Sequence, residues 1–155
     1  MAADLIDIRE GDFDVGAETA ALTAGDLAAG AVATFVGLVR DRNDGSGVSA
    51  MSLEHYPGMT EKALAGIVEE ARGRWDLGRV RVIHRVGDLH PGDRIVYVGV
   101  SSAHRGEAFA ACEFIMDYLK TRAPFWKKEQ TPGGARWVDA RESDDQAAGR
   151  WGGGG

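Results

Sequence analysis

Residues 95–120 read IVYVGVSSAHRGEAFAACEFIMDYLK. Ile95–Ser101 is nearly all apolar, which places this strand centrally in a sheet. A helix is expected over about 104–121. Phe109, Cys112, Met116 and Leu119 fall on one of its faces, with Ile115 beside them, and Pro124 lies beyond its end as a stop. Upstream, Val80, Val82, His84 and Val86 alternate with Arg79, Arg81, Ile83 and Arg85, the period of a strand with one apolar face. His90-Pro91-Gly92-Asp93 is the turn between these strands. A second amphipathic helix is predicted over about 59–74, where Leu64, Ile67, Val68, Ala71 and Trp75 recur at helical spacing. Before it, Ala31–Val36 and Ser49–Tyr56 read as strands, and Arg40–Gly47 between them as an exposed turn or mobile loop. Arg136-Trp137-Val138 is a last short strand. The order β-β-α-β-β-α-β predicts an α+β domain, a mixed or antiparallel sheet with helices packed on one face.

The remaining chain bounds the function. At 155 residues and 16.5 kDa it is one domain with a small appendage. Hydrophobic residues at 44% and charged residues at 27% are those of a globular protein. Cys112 is the single cysteine, so an intramolecular disulfide and a four-cysteine zinc site are both excluded. No apolar run approaches the ~20 residues of a membrane span, and the N-terminus lacks a signal-peptide pattern, so a soluble, cytoplasmic protein is expected. The net charge of −6 disfavours broad binding to a phosphate backbone. Its distribution is uneven. Residues 1–29 hold seven acids and one arginine, with a short strand at Leu5–Ile8 and a weak helix near Val15–Leu22. Residues 104–128 instead gather Arg105, Lys120, Arg122, Lys127 and Lys128, either as scattered solvated cations or as a pocket for a small anion. The expected organisation is an acidic segment 1–29 packed on or flanking the domain, a domain over 30–151, and a flexible glycine tail over 152–155.

No P-loop, dinucleotide fingerprint, H-E-x-x-H or cysteine pair occurs, so no metal or cofactor site is read. Cys112, mid-helix on the apolar face, reads as a small buried hydrophobe. His84 reads as a core histidine, His55 as structural and His90 as a surface turn residue. His104 differs, because with Arg105 it stands where a strand runs into a helix N-terminus. Unpaired backbone N–H groups and the helix dipole favour an anion there, the alternative being a simple N-cap role for Ser102. Lys120 ends the second helix, where a cation suits the dipole whatever the function. Lys127 follows seven residues later, past Pro124 and the apolar Phe125-Trp126. Two amines brought together in a partly desolvated site would have depressed pKa values and serve as acid, base or nucleophile. Arg40 follows the first core strand, at a strand end where site residues collect.

These pieces resemble the large, catalytic subunit family of molybdopterin synthase. The resemblance lies in Phe35–Arg40, Leu53–Met59, Val82–Gly87, Pro91–Asp93, Ser102–Arg105, Met116–Glu129 and Trp137–Arg141, roughly 30–151 in all. The run Lys120-Thr121-Arg122-Ala123-Pro124-Phe125-Trp126-Lys127 is its most specific part. The resemblance implies an α/β hammerhead fold and a sulfurtransferase of molybdenum cofactor biosynthesis. A small ubiquitin-like subunit would carry sulfur as a thiocarboxylate on its C-terminal Gly-Gly, and two transfers would convert cyclic pyranopterin monophosphate to molybdopterin. The assembly implied is a homodimer with one carrier at each end, a heterotetramer. By the same resemblance Lys120 and Lys127 are catalytic. Leu38, Val39, Arg40, His104, Arg105, Lys128, Glu129 and Arg141 bind substrate, Arg141 across the dimer interface, and Phe35 and Met116 line the pocket. The rival readings are a non-catalytic phosphate-binding module, which would keep the Arg/His site without needing the lysines, and a scaffold that only docks the carrier.

Overall fold

The computed structural model describes residues 4–43, 46–47, 50–131, 134–138 and 151. In chain order the elements are β1 (Leu5–Arg9), α1 (Val15–Thr23), β2 (Ala31–Leu38), β3 (Arg42–Asn43), β4 (Ser46–Gly47), β5 (Ala50–His55), α2 (Met59–Arg74), β6 (Val80–Arg85), β7 (Gly87–Leu89), β8 (Arg94–Ser102), α3 (Arg105–Arg122), β9 (Phe125–Thr131) and β10 (Gly134–Val138). One sheet has the order β1-β6-β8-β2 and a second the order β10-β9-β5-β7. The first is mixed, since β1 runs parallel to β6 whereas β6–β8 and β8–β2 are antiparallel.

The apolar run at 95–101 takes the interior position expected of it. From Ile95 to Ser102 every residue of β8 is buried. Val96, Val98 and Val100 point to the main core, which they share with Val80 and Val82 of β6, Leu64, Ile67, Val68 and Ala71 of α2, and Ala111, Cys112, Ile115 and Leu119 of α3. Tyr97 points the other way, into a second cluster with Phe13 and Ile83 that Leu5, Val15 and Val36 flank. That face is covered by α1. Thr19 and the Tyr97 hydroxyl are 2.9 Å apart, and Glu18 accepts from Arg81 at 2.6 Å. Helices therefore pack on both faces of the sheet, not on one. A strand apolar on both sides needs two covers, and the acidic N-terminal stretch supplies the second.

Three further differences have local causes. Phe109, expected on the apolar face of α3, is 64% exposed. It belongs to the i±4 row Arg105–Phe109–Glu113, whose other members are exposed, while the neighbouring row Ala108–Cys112–Met116 is the one that packs. The polar run after Pro124 is not simply a turn. It forms β9, between β5 and β10, where its backbone partners on both sides are supplied by distant segments. The Arg40–Gly47 stretch carries the short β3–β4 ladder. The turn at 90–93 is as read: the Asp93 N–H donates to the His90 carbonyl at 3.0 Å, and Gly92 takes the φ of +92° that a type II turn needs after proline. The glycine tail over 152–155 lies outside the described residues.

Close packing of α1 on β8 depends on Gly99. A Cβ there would lie 2.7 Å from Leu22 Cδ1 and 2.7 Å from the Tyr97 hydroxyl. Gly99→Ala is expected to destabilise the protein by about 1–3 kcal/mol, read as a lower urea midpoint with an unchanged slope.

Candidate active site

The sheet distributes the predicted site residues between two ends. β2 and β8 pair from Ala31↔Ser102 at one end to Leu38↔Arg94 at the other, with a bulge at Gly37/Leu38. At the second end Val39 continues the contact, donating to the Asp93 carbonyl at 2.9 Å and accepting from Gly92 at 2.8 Å. Val39 is thereby buried, while Leu38 is 58% exposed and Arg40 fully on the surface. α3 starts beside the first end and runs back antiparallel to β8, so that the Cys112 thiol lies 3.7 Å from the Val98 carbonyl. Its 18 residues span about 27 Å. Lys120, exposed in the last turn, therefore shares an end with Arg40, not with His104.

Lys127 joins the Lys120 end through β9. The chain leaves α3 at Ala123 in an extended conformation, and Phe125 stacks on the buried His84 ring at 4.0 Å. His84 is opposite Val96, near the Arg94 end of β8. Two residues on, Lys127 is in register with Leu53 of β5 and Val138 of β10, Lys128 with Ser52 and Trp137, and Glu129 with Met51 and Arg136. Met116, buried, sits one turn before Lys120, and Phe35, 41% exposed, is midway along β2. Arg141 lies outside the described residues.

His104 and Arg105 form the other group. His104 is the N-cap of α3 with extended dihedrals, and both side chains are exposed. Ser102 is not the N-cap. Its hydroxyl donates to the Asp76 carbonyl at 2.8 Å, which spends it on the α2–β6 connection. The helix amino terminus has the exposed His104 and Arg105 beside it, with the His104 N–H 3.5 Å from the Ser102 hydroxyl and the Glu107 carboxylate of the first turn accepting from the Asp76 N–H. Gly30 sets the approach of β2 to this loop, since a Cβ there would collide with the Ala103 carbonyl oxygen.

The remaining titratable groups are occupied structurally. His84 is 4% exposed, and its Nδ1 lies 2.9 Å from the Arg85 carbonyl. The His55 ring is tilted 6.5 Å from Phe125. His90 is exposed at its turn, 4.0 Å from the Asp93 carboxylate. Cys112 is buried, and that burial, with the Glu113 charge beside it, pushes its thiol up to about 12. Burial thus keeps the thiol protonated at neutral pH, the opposite of what activates a nucleophilic cysteine. Thr60, absent from the sequence reading, is fully buried. Its hydroxyl accepts from the Tyr56 N–H at 3.0 Å and donates to the Pro124 carbonyl at 3.1 Å. It thus ties the start of α2 to the segment between the two lysines. A threonine in a first helical turn carries no signal of a partner 64 residues away.

The described geometry is that of an α+β protein with exposed arginine, histidine and lysine side chains at the ends of its sheet and its thiol in the core. A family model described as "MoaE protein" matches residues 8–122, and the chain belongs to that family. The molybdopterin synthase catalytic subunit of Ralstonia nicotianae is 70% identical over 147 residues, 95% of this chain and 84% of the relative. That of Escherichia coli K12 is 64% identical over 151 residues, covering 97% and 100%. Among solved structures, the molybdopterin biosynthesis MoaE protein of Burkholderia ambifaria superposes with a TM-score of 0.83 at 59% identity, covering 96% of this chain and 98% of its own.

Cys112 offers a direct test. The folded thiol keeps its proton to about 12, whereas an unfolded cysteine loses it near ~8.5. Above that lower value the unfolded state binds fewer protons, so this group's contribution to stability falls as pH rises towards 12. Iodoacetamide at pH 8 should label the urea-unfolded chain rapidly and the native chain only at the rate of global opening. Cys112→Ala should retain sulfur transfer within about threefold of the wild type.

Proposed function

We propose that this chain is the catalytic subunit of a molybdopterin synthase. It transfers sulfur from the C-terminal thiocarboxylate of a small ubiquitin-like carrier to cyclic pyranopterin monophosphate, in two rounds that build the dithiolene. The observation that carries this reading is the identity of 64–70% to proteins of that name over at least 95% of the chain. The site chemistry fits it. A buried, protonated thiol leaves the sulfur to be brought by the partner, and an exposed cationic end suits a substrate with a cyclic phosphate. In each round the thiocarboxylate sulfur replaces an oxygen on the pterin side chain, once by opening the cyclic phosphate ester, which leaves a monoester, and once with loss of the carbonyl oxygen as water; hydrolysis of the carrier's carbon–sulfur bond then returns the carrier as a carboxylate. Lys120 and Lys127 polarise the thiocarboxylate carbonyl, move protons and stabilise developing negative charge. Arg40, His104, Arg105 and Arg141 hold phosphate and pterin, helped by Leu38, Val39, Lys128 and Glu129, while Phe35 and Met116 line the pocket. Residues 30–151 carry the residues named for this activity, on a domain to which residues 1–29 contribute β1 and the covering helix α1. A cytoplasmic location belongs to the same reading, supported by a lone cysteine kept as a free thiol.

A homodimer resolves the division of the site. His104 and Arg105 stand about 23 Å along α3 from Lys120 in one chain. β2 is an edge strand of its sheet and exposes Val32, Phe35 and Leu38. Two copies related by a two-fold axis perpendicular to this edge strand would set the His104 end of one beside the Lys120 end of the other.

Two measurements test the proposal. Single turnover with thiocarboxylated carrier should add two sulfurs to the pterin by mass spectrometry, and Lys120→Ala or Lys127→Ala should lower the rate by at least ~100-fold with pterin binding retained. Binding with no sulfur gain by the unaltered protein would sink the synthase reading. In mixtures of Lys120→Ala and His104→Ala chains, each inactive alone, half the dimers are mixed and each holds one intact composite site. About a quarter of wild-type activity should therefore return. No recovery in demonstrably mixed dimers would place both groups in one chain's site.

A further inference from the structure

We propose that Trp151 is a positioning residue for Lys120, clamping the last turns of α3 through Asp117. The inference rests on the catalytic role given to Lys120 above. After β10 the chain returns to the seam between α2 and α3. There the Trp151 ring stands edge-on to Trp75 at 5.7 Å and to Phe114 at 5.6 Å. Trp75 caps the C-terminus of α2 and Phe114 lies on α3, so the indole bridges the two helices. Two of its polar groups make directed bonds. The indole N–H donates to the Asp117 carboxylate at 2.6 Å, and the Arg74 guanidinium donates to the Trp151 carbonyl at 2.9 Å. Arg74 also lies over the Phe114 ring at 4.9 Å. A residue that served only to cover apolar surface would not need this pair of directed, charge-assisted bonds.

Asp117 stands three residues before Lys120, on the same side of the helix and one turn away. The Thr121 hydroxyl donates to the Asp117 carbonyl at 3.3 Å, which carries the fixed position of Asp117 into the turn that holds Lys120. On the far side of Lys120 the segment is tied by Thr60 to the Pro124 carbonyl. Lys120 is exposed in the last turn of α3, so the position of that turn sets where its long stem begins. Trp151 is one of the ties that hold that turn, beside the Arg122–Glu70 ion pair to α2, and it is supplied by a part of the chain remote in sequence.

The test compares Trp151→Ala, Trp151→Phe and Asp117→Asn in the full-length protein with its carrier. A misplacement on the order of 1 Å costs up to about 100-fold in rate, so Trp151→Ala should lower kcat by about 10–100-fold while the pterin KM stays within about twofold. Trp151→Phe keeps an aromatic ring and loses only the N–H, so its kcat should fall between the two. Asp117→Asn keeps an acceptor for the indole and should stay near wild type. Docking is read separately, as an acrylamide-protected tryptophan signal that disappears in Trp151→Phe. Unchanged kcat in both Trp151 variants would overturn the inference, as would a Trp151 signal quenched like free indole. A lowered melting temperature with unchanged kcat would do the same. Should Trp151→Ala fail to fold, Trp151→Phe decides alone. Failure of the unaltered protein to transfer sulfur would count against the synthase reading, while the protected Trp151 signal would still report the clamp.

Discussion

The burial of β8 on both faces is the constraint from which the rest follows. Its valines face α2 and α3, and Tyr97 faces α1, so neither layer can be removed without exposing the central strand. Because β8 passes directly into α3, the helix must fold back over the strand it has just left. That reversal puts the helix amino terminus at one end of the sheet and Lys120 at the other. It also leaves β2 as the outer strand beside them, so the division of the cationic residues into two groups is a consequence of core packing.

The chemistry of the family fits this scaffold. A sulfur-transfer enzyme with its own nucleophilic cysteine would need that thiol exposed and acidified. Here the sole thiol lies against the Val98 carbonyl in the core, with its ionisation pushed far above neutral pH. What the surface offers instead is cationic: Arg40 and Lys120 at one end, His104 and Arg105 at the other. The N-terminal segment carries seven of the 24 acids against one arginine, and several of them are spent on structure. Asp4 is paired with Arg72, Glu18 with Arg81 and Asp12 with Arg94, holding β1, α1 and their connection against the sheet.

Much of the fold was legible because it follows local period. α2 begins and ends where its apolar spacing places it, and the alternation at 80–86 buries Val80, Val82, His84 and Val86 together. The lysine-rich run at 120–127 stood out through its residue types. β9 was not legible, since Lys127, Lys128, Glu129 and Gln130 give no alternation and depend on β5 and β10 for their pairing. Phe109 shows the limit of a helical wheel, which identifies rows of side chains but not which row meets a neighbour. Thr60 acts through a contact 64 residues distant and has no local signature.

The sequence by itself determined the two long helices and the strands beside them, the central place of residues 95–101, the core position of Cys112 and the candidate set of cations. Each of these depends on short-range pattern or on side-chain chemistry, which composition and spacing carry directly. Only the tertiary structure decided that helices cover both faces of the sheet, that Lys120 keeps company with Arg40 rather than His104, and that Trp151 closes the α2–α3 seam. Those facts depend on which distant surfaces exclude water together. That is a property of the packed chain as a whole, to which no single stretch of sequence corresponds.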